Sequence, residues 1–161
     1  MHRSLVVGAT MVLCASCAGP ALASGCTLAG GAPTLTATDI HFAAYSASDS
    51  LPGEANGNLR IQCPLGIGLL PSFEIALSAG VGGTFSPRHM AMGASQLSYN
   101  IYTTSGYSAI WGDGTGGTVT QSFSALLSLG TVTYATYGRI PAGQYIAAGS
   151  YGDSITVTLM Y

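Results

Sequence analysis

The sequence predicts an all-β domain of the sandwich or barrel class, built from about six strands. Short runs that alternate between apolar and polar residues recur along the chain, separated by Gly, Pro, Ser and Asn, a pattern typical of such folds. Beyond the first 23 residues, no stretch of ten or more positions has apolar residues at helical spacing. A chain of 161 residues, 48% of them hydrophobic, is long enough for one domain with a substantial core.

The first 23 residues are predicted to be a secretory signal peptide. A basic start, "MHR", precedes the apolar run "SLVVGATMVLCASCA", and "ALA" at 21–23 has the small-x-small pattern of a cleavage site. A transmembrane anchor is the alternative, but Gly8, Ser16, Gly19 and Pro20 interrupt the run, and a spanning helix needs about 20 mostly apolar residues. Cleavage after Ala23 makes residues 24–161 one exported domain.

Six runs in the mature chain are predicted to be strands, because alternate residues in each run form one apolar face. Two segments between them, 51–58 ("LPGEANGN") and 111–118 ("WGDGTGGT"), are predicted turns, since Gly adopts positive φ without strain. The predicted inward residues are, in chain order, Ile40 and Phe42; Leu59, Ile61 and Cys63; Phe73, Ile75 and Leu77; Leu97, Tyr99 and Ile101; Val132, Tyr134 and Thr136; and Ile155, Val157, Leu159 and Tyr161.

The last of these runs ends the chain, and it has one apolar face and two backbone edges. A strand of this kind needs hydrogen-bonded neighbours along its edges. Nothing after Tyr161 supplies one. We therefore expect Ile155, Val157, Leu159 and Tyr161 to form an edge that accepts a further strand.

Charge composition argues against several function classes. Only 6% of the residues are charged, there is no lysine, and the mature chain has three arginines against six acidic residues, so no basic patch for nucleic acid is expected. His41 and His89 do not stand in a nucleophile–base pattern. Asp113 in "GDGTGG" is alone and no helix follows it, which favours a hairpin turn over a phosphate or calcium loop. We expect no enzyme, no metal and no cofactor.

Two cysteines remain after cleavage, Cys26 and Cys63, and in an oxidising compartment such a pair is expected to form a disulfide. A metal site would need more ligands at closer spacing. Lipid attachment at Cys26 is a further alternative, although "ASGC" has Ala23 where an aliphatic residue such as Leu is usual.

Two other features are expected to contribute to contacts. The loop 64–72 carries Leu65, Ile67, Leu69 and Leu70 among prolines and glycines, so it is either an exposed partner-contact loop or a cap that folds back onto the core. Arg139, just after a predicted strand, is expected to pair with Asp153 and hold the last two strands together. The alternative is two solvated charges that contribute almost nothing.

The order of these segments resembles the spore coat protein U domain, the domain of archaic chaperone-usher pilins. The likeness extends from Cys26 to Tyr161 and is most specific in "YGRIPAGQ" and "GSYGDSITVTLMY", with "LSYNIY" and "WGDG" in support. Where the family usually has Phe-Gly-x-Tyr in the first strand, Ala43 replaces the glycine. The resemblance implies an immunoglobulin-like sandwich that lacks its final strand.

The resemblance also implies partners. In this family a periplasmic chaperone lends the missing strand, and the N-terminal extension of a neighbouring pilin subunit later replaces it during assembly at an outer-membrane usher. Cleavage after Ala23 would leave only Ser24 and Gly25 before Cys26, too few to donate a strand, so we expect an adhesive subunit at the tip of a surface fibre. A small outer-membrane β-barrel and a self-complete secreted sandwich are the competing hypotheses.

The disulfide is the first testable expectation. We expect Cys26 and Cys63 to be oxidised in exported protein, which would stabilise the fold by roughly 4 kcal/mol by restricting the unfolded chain. Intact-mass analysis after alkylation, with and without prior reduction, measures this. Two free thiols in native protein would contradict the expectation.

Overall fold

The structure, a computed structural model, describes residues 7–13, 34–62, 72–124 and 131–160, and of residues 7–13 it describes the backbone. Within these ranges the chain forms strands and no helix. The strands are β1 (Val7–Leu13), β2 (Thr34–Ala37), β3 (Ile40–Phe42), β4 (Gly53–Gln62), β5 (Ser72–Leu77), β6 (Arg88–Met92), β7 (Ser95–Tyr102), β8 (Gln121–Ser124), β9 (Thr131–Ile140) and β10 (Ser154–Met160).

The strands form two five-stranded sheets. One has the order β3-β1-β10-β5-β8 and the other the order β2-β4-β9-β7-β6. Their pairings are antiparallel except that of β1 with β10, which is parallel. Inward residues of both sheets meet in one hydrophobic core. The predicted all-β sandwich is therefore confirmed, with more strands than the six that were predicted.

The core is built by the alternation that the sequence displays. On β4, Leu59 and Ile61 are buried while Arg60 between them is exposed. On β7, Leu97, Tyr99 and Ile101 are buried, and Asn100 between the last two is buried as well. Each fully buried side chain of this size stabilises the fold by about 1.5–3 kcal/mol. The predicted inward faces of these two runs are correct for the residues that are described, and Cys63, the last residue of the first run, lies outside them.

The predicted turn at 51–58 is wrong for most of its length. β4 begins at Gly53 and pairs residue by residue with β9, from Gly53 opposite Ile140 to Gln62 opposite Thr131. Position 57 of this ladder is occupied by glycine because a side chain there would collide with Thr136 and with the Thr38 carbonyl oxygen. The glycine marks a close approach within a strand. The predicted turn at 111–118 is confirmed, with positive φ at Gly114, Gly116 and Gly117.

β2, β6 and β8 were not predicted as strands from the sequence, and the residues of β1 fall in the predicted leader. β2 and β8 have four residues each and β6 has five, so each offers only two or three inward positions, too few for a periodic pattern to stand out. Their strand state depends on the ladders of the longer strands beside them.

Gly138 on β9 provides a test of core packing. A Cβ atom there would lie 2.7 Å from Phe42 Cζ and 3.0 Å from Ile40 Cγ2, so we expect Gly138→Ala to lower the free energy of unfolding by about 1–3 kcal/mol. Urea unfolding of the full chain measures the change. Gly106→Ala is the matched control, since its nearest atom would be 3.8 Å away and its effect should stay within about 0.5 kcal/mol. Equal midpoints for the two variants would contradict this packing account.

Candidate functional site

The strand β10 has one buried face, as its alternation predicts. Ile155 and Val157 are 0% exposed and Leu159 is 8% exposed, while Ser154 and Met160 at its ends are exposed. Tyr161, the fourth residue of the predicted edge, lies outside the described residues. The predicted inward face of β10 is therefore correct for the three residues that are described.

Both backbone edges of β10 have neighbours. On one edge, β5 pairs antiparallel with it, from Val157 opposite Leu77 to Met160 opposite Glu74. On the other edge, β1 pairs parallel with it, from Thr10 opposite Ser154 to Leu13 opposite Val157. β1 also pairs antiparallel with β3 on its far side. The space between β3 and β10 that β1 occupies is named the acceptor groove here.

The strand in the acceptor groove comes from a part of the chain that is predicted to be removed. β1 covers residues 7–13, which lie inside the predicted leader 1–23. Adjacent strands are about 4.8 Å apart, so without β1 the edges of β3 and β10 would face each other across roughly 10 Å. Neither edge could then pair with the other, and the sheet would be open at this position.

A buried carboxylate fixes the start of β10. Asp153 is 4% exposed, and it accepts hydrogen bonds from the backbone N–H of Val81 at 2.8 Å and from the hydroxyl of Tyr99 at 2.7 Å. Burial raises the pKa of Tyr99 well above its usual range, and the neighbouring Asp153 adds to this rise. Gly80, with φ of 79°, leaves room for the carboxylate, since a side chain there would overlap it.

Ser78, in the loop after β5, forms hydrogen bonds with Thr156 near the start of β10. Its hydroxyl accepts a hydrogen bond from Thr156 N–H at 2.9 Å, and its own N–H donates to the Thr156 carbonyl oxygen at 2.9 Å. This pairing extends the ladder of β5 and β10 beyond Leu77. The acceptor groove is thus bordered on the β10 side by a strand that is held in a defined position.

A buried arginine, Arg88, holds the loop after β5 through hydrogen bonds to its backbone. Arg88 is 0% exposed, and its guanidinium donates to the Ser78 carbonyl oxygen through Nε at 3.1 Å and Nη2 at 2.8 Å. Nη1 donates to Asn100 Oδ1 at 2.8 Å, and Nη2 also donates to the Trp111 carbonyl oxygen at 2.7 Å. Burial lowers the pKa of Arg88 from its ordinary value, and the nearby Tyr99 and Asp153 oppose this effect. Buried charge is tolerated where hydrogen bonds satisfy it in this way.

Arg88 was not predicted as a site residue from the sequence. A usable signal was present, because Arg88 and Met90 are two positions apart on β6 and both are fully buried. Residues at that spacing share one face of a strand. An arginine in phase with a buried apolar residue predicts an internal hydrogen-bonding role, but only once β6 itself is recognised as a strand.

The predicted ion pair between Arg139 and Asp153 is wrong. Arg139 stands directly opposite Glu54 in the ladder of β4 and β9, and its Nε lies 3.6 Å from Glu54 Oε1. Its guanidinium also lies over the ring of Tyr107, 4.7 Å from the ring centre. Opposite residues of an antiparallel pair share a face, which explains why the cross-strand glutamate is the partner and the buried Asp153 is not.

The other predicted site residues lie outside the described part of the chain. These are both cysteines of the predicted disulfide and the four apolar residues of the predicted contact loop: Cys26, Cys63, Leu65, Ile67, Leu69 and Leu70. Where the structure does describe the chain, it has no helix long and apolar enough to cross a membrane. It also has no cluster there of three or more residues suited to hold a metal ion.

The profile of the Spore Coat Protein U domain family matches residues 9–158, a range that runs from β1 into β10. The chain belongs to the Spore Coat Protein U domain family. The match includes strands on both sides of the acceptor groove, and it confirms the resemblance seen in the sequence. Among curated proteins, none matches this Spore Coat Protein U domain.

Solved structures share the fold of this Spore Coat Protein U domain, and ten chains match it. One is in the crystal structure of the CsuC-CsuE chaperone-tip adhesion subunit pre-assembly complex from archaic chaperone-usher Csu pili of Acinetobacter baumannii. The TM-score is 0.53 at 20% sequence identity, over 81% of this chain and 40% of that chain. At this identity the likeness establishes the fold. The domain thus spans less than half of the chain that it matches.

The buried hydroxyl of Tyr99 provides a second test. We expect Tyr99→Phe to lower the free energy of unfolding by about 1–3 kcal/mol, because the Asp153 carboxylate loses a donor and stays buried. Chemical unfolding measures this, with Tyr145→Phe as control, since Tyr145 is 88% exposed.

The stability of the protein should also depend on pH, and the same two variants, Tyr99→Phe and Tyr145→Phe, test this dependence. The raised pKa of Tyr99 means that the unfolded chain loses this proton first, near pH 10, so wild-type stability should fall as the pH rises above about 10. Tyr99→Phe should show a shallower fall than the wild type and the Tyr145→Phe control. Parallel pH profiles for all three proteins would contradict the burial of this hydroxyl.

Proposed function

We propose that this chain is a subunit of a chaperone-usher pilus and that its acceptor groove receives a strand from a partner protein. One observation carries the proposal: the strand that fills the groove, β1, lies inside the predicted leader. Cleavage after Ala23 would remove it and leave β3 and β10 without their shared neighbour. A partner would then have to supply the strand.

The physical cost of an empty groove supports this proposal. β1 makes four residue pairs with β10 and three with β3, and each buried backbone group left without a partner costs about 1–3 kcal/mol. Ile155 and Val157, both 0% exposed, would meet water along an open edge, which promotes association. Adding an extended peptide to a sheet edge removes both costs.

The identity of the partners follows from the family and its structural neighbour. That neighbour was solved as a pre-assembly complex of a chaperone and a tip adhesion subunit. We infer that this chain is likewise carried by a periplasmic chaperone, passed to an outer-membrane usher and joined to neighbouring pilin subunits. Its final location is then the cell surface or an extracellular fibre, and its role is structural and adhesive, with no cofactor.

A tip position and an adhesive loop complete the proposal. If cleavage follows Ala23, only Ser24 and Gly25 precede Cys26, and two residues cannot form a donated strand. Such a subunit accepts a strand and does not give one, which suits the end of a fibre. We assign surface contact to the loop 64–72, because Leu65, Ile67, Leu69 and Leu70 are concentrated there.

The test supplies the strand covalently. Residues 24–161 are prepared alone and with the β1 sequence, "VGATMVL", fused behind Tyr161 through a Gly/Ser linker of about 12 residues. This linker can run back along β10, whose seven residues extend over roughly 23 Å. We expect the fused chain to be monomeric and to melt at least about 10 °C above the bare chain, since several kcal/mol separate the two states.

The matched control is the same fusion with proline in place of the central threonine of the donor, since proline lacks the N–H that a ladder requires. This control should behave like the bare chain. Co-expression with a pilus chaperone should also give soluble monomer. A bare chain that is monomeric and equally stable without any donor would make the sandwich self-complete and overturn the proposal.

A further inference from the structure

A row of side chains with two tyrosines crosses the outer face of the sheet formed by β2, β4, β9, β7 and β6. Tyr102 on β7 lies opposite Tyr137 on β9, and Tyr137 lies opposite Asn56 on β4. Opposite residues share one face of a sheet. Their neighbours Ile101 and Gly138 are buried, whereas the two tyrosines are half-buried and Asn56 is exposed. The row therefore faces solvent and spans three strands, over about 10 Å.

The hairpin after β7 adds a third tyrosine. Tyr107 meets Tyr102 edge to face, with ring centres 5.4 Å apart and an angle of 89° between the rings. Its φ is 52°, in the left-handed region that residues other than glycine rarely adopt. Its N–H donates to the Thr104 carbonyl oxygen at 3.1 Å. A conformation of this kind persists only where the surroundings hold it, so the loop keeps the Tyr107 ring beside the row.

An arginine and a glutamate complete the cluster. The guanidinium of Arg139 lies over the Tyr107 ring, 4.7 Å from its centre, and its Nε is 3.6 Å from Glu54 Oε1. The two side chains are 38% and 47% exposed, so their polar groups are accessible to a ligand. The pKa of the Tyr107 hydroxyl is raised from its ordinary value, first by partial burial and then by the neighbouring Glu54 carboxylate. The whole cluster is named the tyrosine face: Tyr102, Tyr107, Tyr137, Arg139, Glu54 and Asn56.

The charge and extent of the tyrosine face select the kind of ligand. Its one arginine and one glutamate cancel in charge, so no field attracts a polyanion or a polycation. The outer face continues along β4 and β9 with exposed polar residues, Asn58, Arg60 and Thr133. The apolar area therefore does not extend over the roughly 800 Å² that each partner of a stable protein interface buries. A neutral ligand with small apolar patches among polar groups fits these conditions.

A sugar chain has this chemistry. The C–H bonds on one side of a pyranose ring form an apolar patch, which packs on the electron-rich face of a tyrosine ring. Its hydroxyl groups donate and accept hydrogen bonds, as do Arg139 and Glu54 together and the amide of Asn56. The row from Asn56 to Tyr102 is straight and has the length of a disaccharide. A chain of β-1,4-linked glucose is extended and flat, so it suits this row better than a helical α-1,4-linked chain.

We propose that the tyrosine face binds a neutral, extended polysaccharide of β-1,4-linked pyranose units. Tyr137 and Tyr102 support adjacent sugar rings, and Arg139, Glu54 and Asn56 bind the hydroxyl groups. The inference goes beyond the proposed function, because it gives a ligand to the outer face of one sheet, whereas the acceptor groove belongs to the other sheet.

The experiment measures binding of cellohexaose to the full chain of residues 1–161, which includes β1, by isothermal titration calorimetry. Tyr137→Ala is the first variant, and Tyr145→Ala is its matched control, since Tyr145 is 88% exposed and lies outside the tyrosine face. Asn56→Ala is the second variant, to be used as well if Tyr137→Ala does not fold. Its control is Asn58→Ala, which changes the next exposed residue on the same side of β4. Urea unfolding shows which variants are folded.

We expect Tyr137→Ala to weaken cellohexaose binding by about tenfold, because a ring contact is lost. Asn56→Ala should weaken it by about threefold, because an amide that binds hydroxyl groups is lost. The two control variants should bind like the wild type. Maltohexaose, which has the same glucose units in α-1,4 linkage, should bind at least about tenfold more weakly than cellohexaose.

Three outcomes would overturn the inference. They are a wild-type chain that does not bind cellohexaose, losses in the control variants equal to those in Tyr137→Ala and Asn56→Ala, and equal affinity for the two sugars. None of them bears on the acceptor groove, which is tested separately by the melting temperature of the fused chain. Failure of the tyrosine face and failure of the proposed function are therefore distinguishable.

Discussion

The structure depends on the requirement that both backbone edges of β10 be hydrogen-bonded. β10 is an inner strand of its sheet, and its buried face, with Ile155 and Val157, contributes to the core shared by both sheets. An inner strand with one unpaired edge exposes polar backbone groups and apolar side chains together. β5 satisfies one edge from within the domain, and the other edge depends on β1. In this structure both edges of β10 are therefore paired, one by β5 and the other by β1.

The β5 edge of β10 is held by side-chain hydrogen bonds in addition to the backbone ladder. On the β5 side, Ser78 continues the ladder, and Arg88 binds the Ser78 carbonyl oxygen from the interior. Asp153 fixes the start of β10 through Tyr99 and the N–H of Val81. Buried, satisfied hydrogen bonds of this kind hold one arrangement strongly. On the β1 side, the contacts that the structure describes are the backbone ladder pairs with β1. A frame held in this way agrees with the proposed function, in which the strand beside it is exchanged.

The sequence predicted the long strands well and the short ones poorly, and the reason is physical. A run such as Leu97, Tyr99 and Ile101 repeats its buried face often enough to be recognised, whereas β6 presents only Arg88 and Met90 as fully buried residues. Glycine misled the prediction at 51–58, because Gly57 allows two chain segments to approach closely within β4. A glycine that permits a turn and a glycine that permits close packing look the same in a sequence.

The sequence by itself determined the buried side of β7, of β10 and of the second half of β4, and the residues that mark the family. Alternation encodes a face because side chains on a strand point to opposite sides in turn. It does not encode a partner, since ladder pairs join residues far apart in the chain. Only the tertiary structure decided that β1 fills the edge of β10, that Arg139 meets Glu54, and that Asp153 is buried against Tyr99.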